Sequence, residues 1–182
     1  MNKMPVFGKN LTSLKTKWRP SAAWGGAVLA LDLGTKAAIR DFLSPGEAVA
    51  VINGFFNLVL AYNTGAAFSL LADEGSPGQS LKMALLAVLA LLPFFYFFIQ
   101  AAPGDRSRLA ALGLILGGAL GNIHDRLRWG AVVDFLDFHW RGLHWPAFNI
   151  ADLAICLGAG LLGLSVWREK PVQPKGRPEA RE

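Results

Sequence analysis

Four apolar stretches constrain this chain more than any other feature, because each is about as long as a helix that crosses a membrane. They cover residues 21–39, 81–99, 109–126 and 146–167. The first has 19 residues, which as a helix would extend roughly 28 Å, close to the thickness of the hydrocarbon core. Only 17% of the residues are charged, against about 25% in an ordinary soluble domain. We therefore predict a mainly α-helical membrane protein whose four transmembrane helices form one domain, residues 21–167.

Lysine and arginine residues are concentrated at the ends of the chain and in one loop, and this predicts how the helices are oriented. The basic N-terminal tail (1–20), the loop at 101–108 and the C-terminal tail (168–182) together contain 12 of the 18 basic side chains. The positive-inside rule assigns these segments to the cytoplasm. The net charge of +5 could also indicate nucleic-acid binding, but charges beside apolar helices fit membrane orientation better, so no nucleic-acid partner is expected. The C-terminal tail is expected to be disordered.

A small β element is expected on the opposite side of the membrane, between the first and second helices, at about residues 42–72. Asn53 and Gly54 separate two runs that are rich in β-branched and aromatic residues, which is a strong hairpin signal. The strands would lead into residues 63–69, where Gly65 and its small neighbours allow a ligand to approach the backbone closely. Taken alone, this segment is more typical of an ordinary turn. A polar loop follows at residues 73–79.

Polar residues gather where the third apolar stretch ends and the fourth begins. They are Asn122, Asp125, Arg126, Asp134, Asn149 and Asp152, and a short loop is expected to carry Asp134. A carboxylate buried near lipid is costly unless something stabilises it, so such groups are candidates for function. Two carboxylates that face each other share a proton, so that one acts as a base towards water and the other as an acid. Asp134 and Asp152 could hydrolyse a peptide bond in this way; the sequence shows no metal-ligand motif, and we expect no metal and no cofactor.

Each candidate carboxylate also has a purely structural interpretation. Asp152, near a helix start, would be favoured there as a cap and by the helix dipole. Asp32 and Lys36 are four residues apart in the first apolar stretch, so they share a helix face. They could neutralise each other with Lys36 extending outward, or Asp32 could support the polar site from below. The spacing does not decide between these two.

Small residues and a proline indicate how the helices pack. Gly113, Gly117 and Gly121 recur every four residues, a spacing that lets membrane helices approach closely, and we expect packing within the chain rather than dimerisation. Pro93 is expected to kink the second helix. The single cysteine, Cys156, cannot form an internal disulfide and is interpreted as a small core- or lipid-facing residue.

Five motifs in order resemble those of lipoprotein signal peptidase (signal peptidase II), a family of bacterial membrane aspartyl proteases. They are Asp32-Leu33-Gly34-Thr35-Lys36, residues 63–69, Gly121-Asn122-x-x-Asp125-Arg126, Val132-Val133-Asp134-Phe135 and Phe148-Asn149-x-Ala151-Asp152. The resemblance covers roughly residues 31–155. It implies four spans, a periplasmic β-cradle and a catalytic pair formed by Asp134 and Asp152. The residues implied to support the site and position the substrate are Asp32, Lys36, Asn63, Gly65, Asn122, Asp125, Arg126 and Asn149.

The resemblance also implies a substrate and a location. The substrate would be a prolipoprotein whose cysteine already carries diacylglycerol, with cleavage just before that cysteine. Membrane lipid and globomycin-type inhibitors would be further ligands. The protein would be a multi-pass protein of the bacterial cytoplasmic (inner) membrane, with both termini cytoplasmic and its active site on the periplasmic side. We expect it to act as a monomer.

Two other classes of protein remain alternatives. A small membrane transporter or proton-path subunit would use buried carboxylates to carry ions, but its polar groups should extend through the depth of the bilayer. In this chain they cluster towards one end of the apolar stretches. A non-catalytic membrane scaffold would not require both Asp134 and Asp152.

Overall fold

The computed structural model describes residues 11–65, 82, 85, 86, 88, 89 and 91–168. Within these residues the chain is mainly helical, with a small sheet, as predicted. The helices are α1 (Leu11–Phe42), α2 (Leu92–Gln100), α3 (Arg106–Trp129) and α4 (Ile150–Arg168), and the strands are β1 (Ala48–Ile52), β2 (Phe56–Asn63), β3 (Val132–Trp140) and β4 (Leu143–His144). The predictions for residues 1–10, 66–69 and 73–79, for most of 81–90 and for the tail beyond Arg168 lie outside the described residues.

Helix α1 begins ten residues before the apolar stretch that predicted it, so part of the predicted N-terminal tail is helical. The buried Lys17 explains this extension. Its ammonium group donates to the carbonyl oxygens of Phe98, at 3.4 Å, and Ile99, at 3.0 Å, near the end of α2. Carbonyls in the last turn of a helix lack helical partners, and a cation there is favourable. The predicted start at residue 21 was therefore too late, because this contact depends on tertiary packing.

Pro93 stands in the first turn of α2 rather than in the middle of a helix. The amide of Leu91 bonds to the carbonyl of Val88, three residues back, and α2 begins directly after this turn. Proline is tolerated in a first helical turn because its missing N–H would have no helical partner there. The predicted kink is thus a turn between two helical segments.

The glycines of α3 allow this helix to lie against both α1 and α4. A Cβ atom at Gly113 would lie 2.6 Å from the backbone oxygen of Ser21 on α1. A Cβ atom at Gly117 would collide with the backbone of Gly25, which is also on α1. Gly118 meets the backbone of Ala151 on α4 in the same way. Such close approach is the usual role of small residues in membrane helices. The prediction that these glycines serve packing within the chain is confirmed.

The sheet combines two distant parts of the chain in the order β1-β2-β3-β4, with antiparallel neighbours. The predicted hairpin is present as β1 and β2, with Gly54 at a φ of 74° in the turn. The prediction that a short loop carries Asp134 is wrong, because Asp134 lies within β3, opposite Ala61 of β2. The β element is therefore not confined to residues 42–72.

Helix α4 starts at Ile150, four residues later than the predicted fourth apolar stretch. The intervening backbone is held extended against β3, since Phe148 and Leu136 exchange hydrogen bonds of 3.1 and 2.9 Å. Among the described residues, α4 is the one helix that is both long enough and apolar enough to cross a membrane by these two criteria alone.

Candidate active site

Asn149 brings the two candidate carboxylates together where β3 and α4 meet. Its side-chain nitrogen donates to Asp134 Oδ1 at 2.7 Å. Its side-chain oxygen accepts from the backbone N–H of Asp152 at 2.9 Å, and its own backbone N–H donates to Asp152 Oδ2 at 3.3 Å. The last two bonds form a reciprocal cap on the first turn of α4. Asp152 is thus a helix-capping residue and also a member of the carboxylate pair.

Asn122 of α3 connects the pair to the supporting charges behind it. Its nitrogen donates to Asp152 Oδ1 at 2.7 Å, so both oxygens of Asp152 have a protein donor. Its oxygen accepts from Lys36, at 3.0 Å, and from Asn149, at 3.2 Å. Because both the nitrogen and the oxygen of the Asn122 side-chain amide are bonded, Asn122 itself is held in one orientation. The orientation of Asp152 is therefore fixed by α3 as well as by its own helix.

Lys36 points into the protein, which decides between the two interpretations of the Asp32–Lys36 spacing. Its side chain is 1% exposed, and its ammonium group lies 2.8 Å from Asp32 and 2.9 Å from Asp125. With Asn122 as the third acceptor, its three donors have three partners. Lys36 therefore does not extend outward, and the predicted supporting residues Asp32, Asp125 and Asn122 surround one buried cation.

The two carboxylates beside Lys36 also hold backbone groups next to the pair. Asp32 accepts from the amide of Ala151 at 2.9 Å, and Asp125 accepts from the amide of Val133 at 3.1 Å. Ala151 and Val133 directly precede Asp152 and Asp134 in the sequence. The positions of the candidate catalytic residues are therefore set through their neighbours' backbones. Sequence reasoning missed these two amides, since no side-chain motif marks a backbone donor.

Asn63 and Gly65 reach the pair from the sheet. The side-chain nitrogen of Asn63 donates to Asp134 Oδ2 at 3.0 Å, and its oxygen accepts from the amide of Gly65 at 3.0 Å. Gly65 thus orients Asn63 rather than contacting either carboxylate. Asn63 is exposed, so this side of Asp134 is also the side open to the surroundings.

Arg126 lies half-buried one helical turn after Asn122, whose backbone oxygen accepts from its guanidinium at 3.3 Å. Its charge interacts with those of Asp152 and Asp134. All the predicted site residues therefore fall into one connected cluster, in which the charges of both Arg126 and Lys36 act on the carboxylate pair.

Burial raises the pKa of Asp134 to about 6, and the nearby charge of Asp152 acts in the same direction. The bonds from Asn63 and Asn149 and the charge of Lys36 oppose the increase without cancelling it. Asp134 is only 3% exposed, which is why desolvation of its charged form dominates. It therefore retains a proton at pH values where an ordinary aspartate is ionised.

We expect this raised pKa to make the protein less stable as the pH rises from about 4 to about 6. In that range the folded chain keeps the proton on Asp134, whereas the unfolded chain, with the ordinary pKa of 3.8, loses it. The stabilisation of the folded state by protonated Asp134 is complete below the pKa of the unfolded state. It is lost as the pH rises through the pKa of the folded state, and the total loss is up to about 3 kcal/mol. Thermal unfolding in detergent should therefore show Asp134→Asn gaining melting temperature relative to the wild type between about pH 4.5 and about pH 7.5.

Asp137→Asn is the matched control for this measurement. Asp137 is also buried on β3, and burial alone would raise its pKa, but hydrogen bonds from His144 and Asn57 outweigh burial and lower it. Asp137→Asn should therefore show no gain in melting temperature relative to the wild type at the higher pH. Identical pH dependence in the wild type and Asp134→Asn would contradict the assigned pKa.

Among the described residues, no group of three or more His, Cys, Asp and Glu side chains is placed to hold a metal ion. The charged groups of the site are the carboxylate pair, the supporting carboxylates Asp32 and Asp125, and the cations Lys36 and Arg126. A carboxylate pair in which one member is buried and holds its proton to near pH 6 is typical of hydrolases that work by acid–base catalysis.

The chain belongs to the signal peptidase II family: the family model described as Signal peptidase (SPase) II matches residues 25–168. A lipoprotein signal peptidase from Ralstonia nicotianae is 55% identical over 132 residues, which are 72% of this chain and 75% of that protein. One from Nitratidesulfovibrio vulgaris is 41% identical over 169 residues, 91% of this chain and 99% of that protein.

A solved structure described as a bacterial membrane enzyme, determined by the in meso method at 2.3 Å resolution, has the same fold. It is 31% identical, with a TM-score of 0.70, and the match covers 85% of this chain and 94% of the solved one. The chain is therefore a bacterial membrane protein and a peptidase of this family. The interpretation as a transporter is not supported.

Proposed function

We propose that this peptidase removes signal peptides from prolipoproteins and that Asp134 and Asp152 are its catalytic pair. The single observation that carries the proposal is the bonding of both carboxylates by Asn149. The relatives named lipoprotein signal peptidase support the substrate class. A carboxylate pair held in one orientation by neutral amides is suited to proton transfer, and within the described part of the chain neither Asp134 nor Asp152 is neutralised by a direct ion pair.

The chemistry follows from the different surroundings of the two carboxylates. Asp134 holds a proton because it is buried, so it serves as the acid, and the less buried Asp152 serves as the base. Asp152 takes a proton from water, the hydroxide adds to the scissile carbonyl carbon, and Asp134 protonates the carbonyl oxygen. When the C–N bond breaks, the proton on Asp152 passes to the leaving amine and Asp134 recovers its own. Each carboxylate ends in the state in which it began.

Arg126 is placed to hold the substrate rather than to transfer protons. Its guanidinium stays charged and offers a planar set of donors, which suits a backbone carbonyl of the substrate. We expect Arg126→Ala to raise KM more than it lowers kcat in a cleavage assay. Globomycin-type inhibitors would occupy the same region, between the carboxylate pair and Arg126.

We further propose that the substrate is the diacylated form of the prolipoprotein, cut just before its lipidated cysteine. Transfer of acyl chains into lipid contributes about 0.8 kcal/mol per CH₂, so two chains hold the cysteine at the membrane surface. The diacylated precursor should therefore be cleaved at least about tenfold faster than the unlipidated one. Purified protein in nanodiscs, both precursors at matched concentration and mass analysis of the products provide the test.

Asp134→Asn protein, run in parallel, identifies cleavage caused by a contaminating peptidase. Equal initial rates for the two precursors would contradict the proposal that the lipid positions the scissile bond. Absence of any cleavage before the cysteine of the diacylated precursor would overturn the proposed function itself.

The distribution of basic residues supports four spans with both termini in the cytoplasm and the carboxylate pair on the periplasmic side. Asp134 lies on β3, which follows α3 in the chain, and Asp152 lies in the first turn of α4. The basic loop at residues 101–108 leads into the start of α3, and Arg168 ends α4, so these charges lie at the opposite ends of the two helices. We expect a reporter fused after residue 75 to be active only if it works outside the cytoplasm. Activity of a cytoplasm-specific reporter at that position would contradict the proposed orientation.

A further inference from the structure

A cavity of about 300 Å³ opens between the start of α3 and the end of α4. Its floor and rim contain Asp105, Ser107, Arg108, Ser165 and Arg168, and two leucines, Leu161 and Leu164, form an apolar wall. Along α3, Arg108 precedes Asn122 by 14 residues, which corresponds to about 21 Å of helix. The cavity is therefore at the other end of the helices from the carboxylate pair and is not part of that site.

The floor of the cavity is a buried guanidinium in a fixed position. Arg108 is 4% exposed, and two of its nitrogens lie 3.4 Å from the hydroxyl of Ser165 on α4. Asp105 lies 3.4 Å from the same guanidinium and is itself held by the Ser107 hydroxyl, at 2.9 Å, and the Arg108 amide, at 3.0 Å. The bonds between these side chains therefore keep the charge of Arg108 at the cavity.

Among the described residues that line the cavity, Arg108 and Arg168 outnumber Asp105, so this part of the lining carries a net positive charge. Arg106 is a further exposed cation on the first turn of α3, between the lining residues Asp105 and Ser107 in the sequence. A basic pocket between membrane helices is a known form of binding site for anionic lipid headgroups. An anion entering this cavity would meet arginine side chains and the hydroxyls of Ser107 and Ser165.

The apolar wall indicates that the anion is carried by a lipid. Leu161 and Leu164 are 45% and 38% exposed, and both belong to α4, the helix whose length and apolarity suit a membrane span. A free phosphate ion would gain nothing from these leucines, whereas the glycerol and acyl carbons of a phospholipid would cover them. A zwitterionic lipid would bring its own cation towards the two arginines. We propose that this cavity binds the headgroup of an anionic phospholipid, with the phosphodiester at Arg108 and Arg168.

Native mass spectrometry and thermal unfolding of the detergent-solubilised protein test the proposal with three additives: phosphatidylglycerol, phosphatidylcholine and inorganic phosphate. Phosphatidylglycerol should remain bound and raise the melting temperature, whereas the other two should do neither. Arg168→Gln should weaken phosphatidylglycerol binding by about fivefold, since each basic side chain near an anionic lipid contributes a factor of this size. Arg108→Gln should weaken it at least as much.

Arg19→Gln is the matched control, because Arg19 is an exposed cation of α1 that does not line the cavity. It should bind phosphatidylglycerol as the wild type does. Equal retention of phosphatidylglycerol and phosphatidylcholine, or unchanged binding by Arg168→Gln, would overturn the proposal. Equal stabilisation by inorganic phosphate would overturn the assignment to a lipid. If Arg108→Gln does not fold, the exposed Arg168 still decides the question.

Discussion

Asp134→Asn and Asp152→Asn are each expected to lower the rate of prolipoprotein cleavage by about 10²- to 10⁴-fold. An amide has nearly the shape of a carboxylate, but it can neither give nor take the proton that the reaction requires. In the proposed mechanism Asp134 supplies a proton to the carbonyl oxygen and Asp152 removes one from water. Loss of either function stops the cycle, so the double variant should be no slower than the slower single variant.

The structure offers a closely matched control for this experiment. Asp137 lies on the same strand as Asp134 and is also buried, but it bonds to Asn57, at 2.8 Å, and His144, at 2.8 Å, rather than to Asn149. Asp137→Asn should retain cleavage of the same order as the wild type. Initial rates with the diacylated precursor, normalised to folded protein, distinguish these outcomes. Substantial cleavage by Asp134→Asn or Asp152→Asn would exclude that residue from catalysis.

Lys36→Met is expected to reduce the free energy of unfolding by about 3–5 kcal/mol. Methionine fills a similar space but removes all three donors, and this leaves the buried carboxylates of Asp32 and Asp125 without their cation. The two carboxylates would then also repel each other. Thermal unfolding in detergent should show a large fall in melting temperature, and the cleavage activity should fall with it because Asp32 and Asp125 hold the backbone beside the pair.

Two further variants make this prediction specific. Lys82 is an exposed residue that lies before α2 in the chain, so Lys82→Met should change stability by no more than about 0.5 kcal/mol. Combining Lys36→Met with Asp32→Asn removes one of the unpaired charges and should restore part of the loss. If Lys36→Met were as stable as the wild type, the ion pairs would not be what holds α1, α3 and α4 at the site.

The features that the sequence predicted correctly depend on local patterns. The Asn53-Gly54 turn, the apolar helices and the polar residues at helix ends are all recognisable within a few residues of the chain. The order of the motifs likewise predicts that Asp134 and Asp152 belong to one site, and Asn149 bonds to both of them. Helix α4 begins four residues after its predicted start because Phe148 pairs with Leu136, and no local sequence pattern predicts that pairing.

The features that the sequence did not predict depend on distant partners. Val132 to Phe135 was interpreted as a loop segment, but it forms a strand because β2, about 70 residues earlier, pairs with it. In the same way, the early start of α1 depends on Lys17 reaching carbonyl groups more than 80 residues away. The inward direction of Lys36 required acceptors on α3, and helical spacing to Asp32 alone was equally compatible with the outward direction.

The bond between Asp32 and the amide of Ala151 has a consequence for the order of synthesis. These residues are 119 positions apart and belong to the first and last helices of the described chain. A nascent chain that ends after β3 contains Asp134 but lacks Asn149 and Asp152, as well as the Ala151 amide that bonds to Asp32. The proposed proton-transfer pair is therefore complete only once the final helix has docked, and we expect the peptidase to be inactive during its own insertion into the membrane.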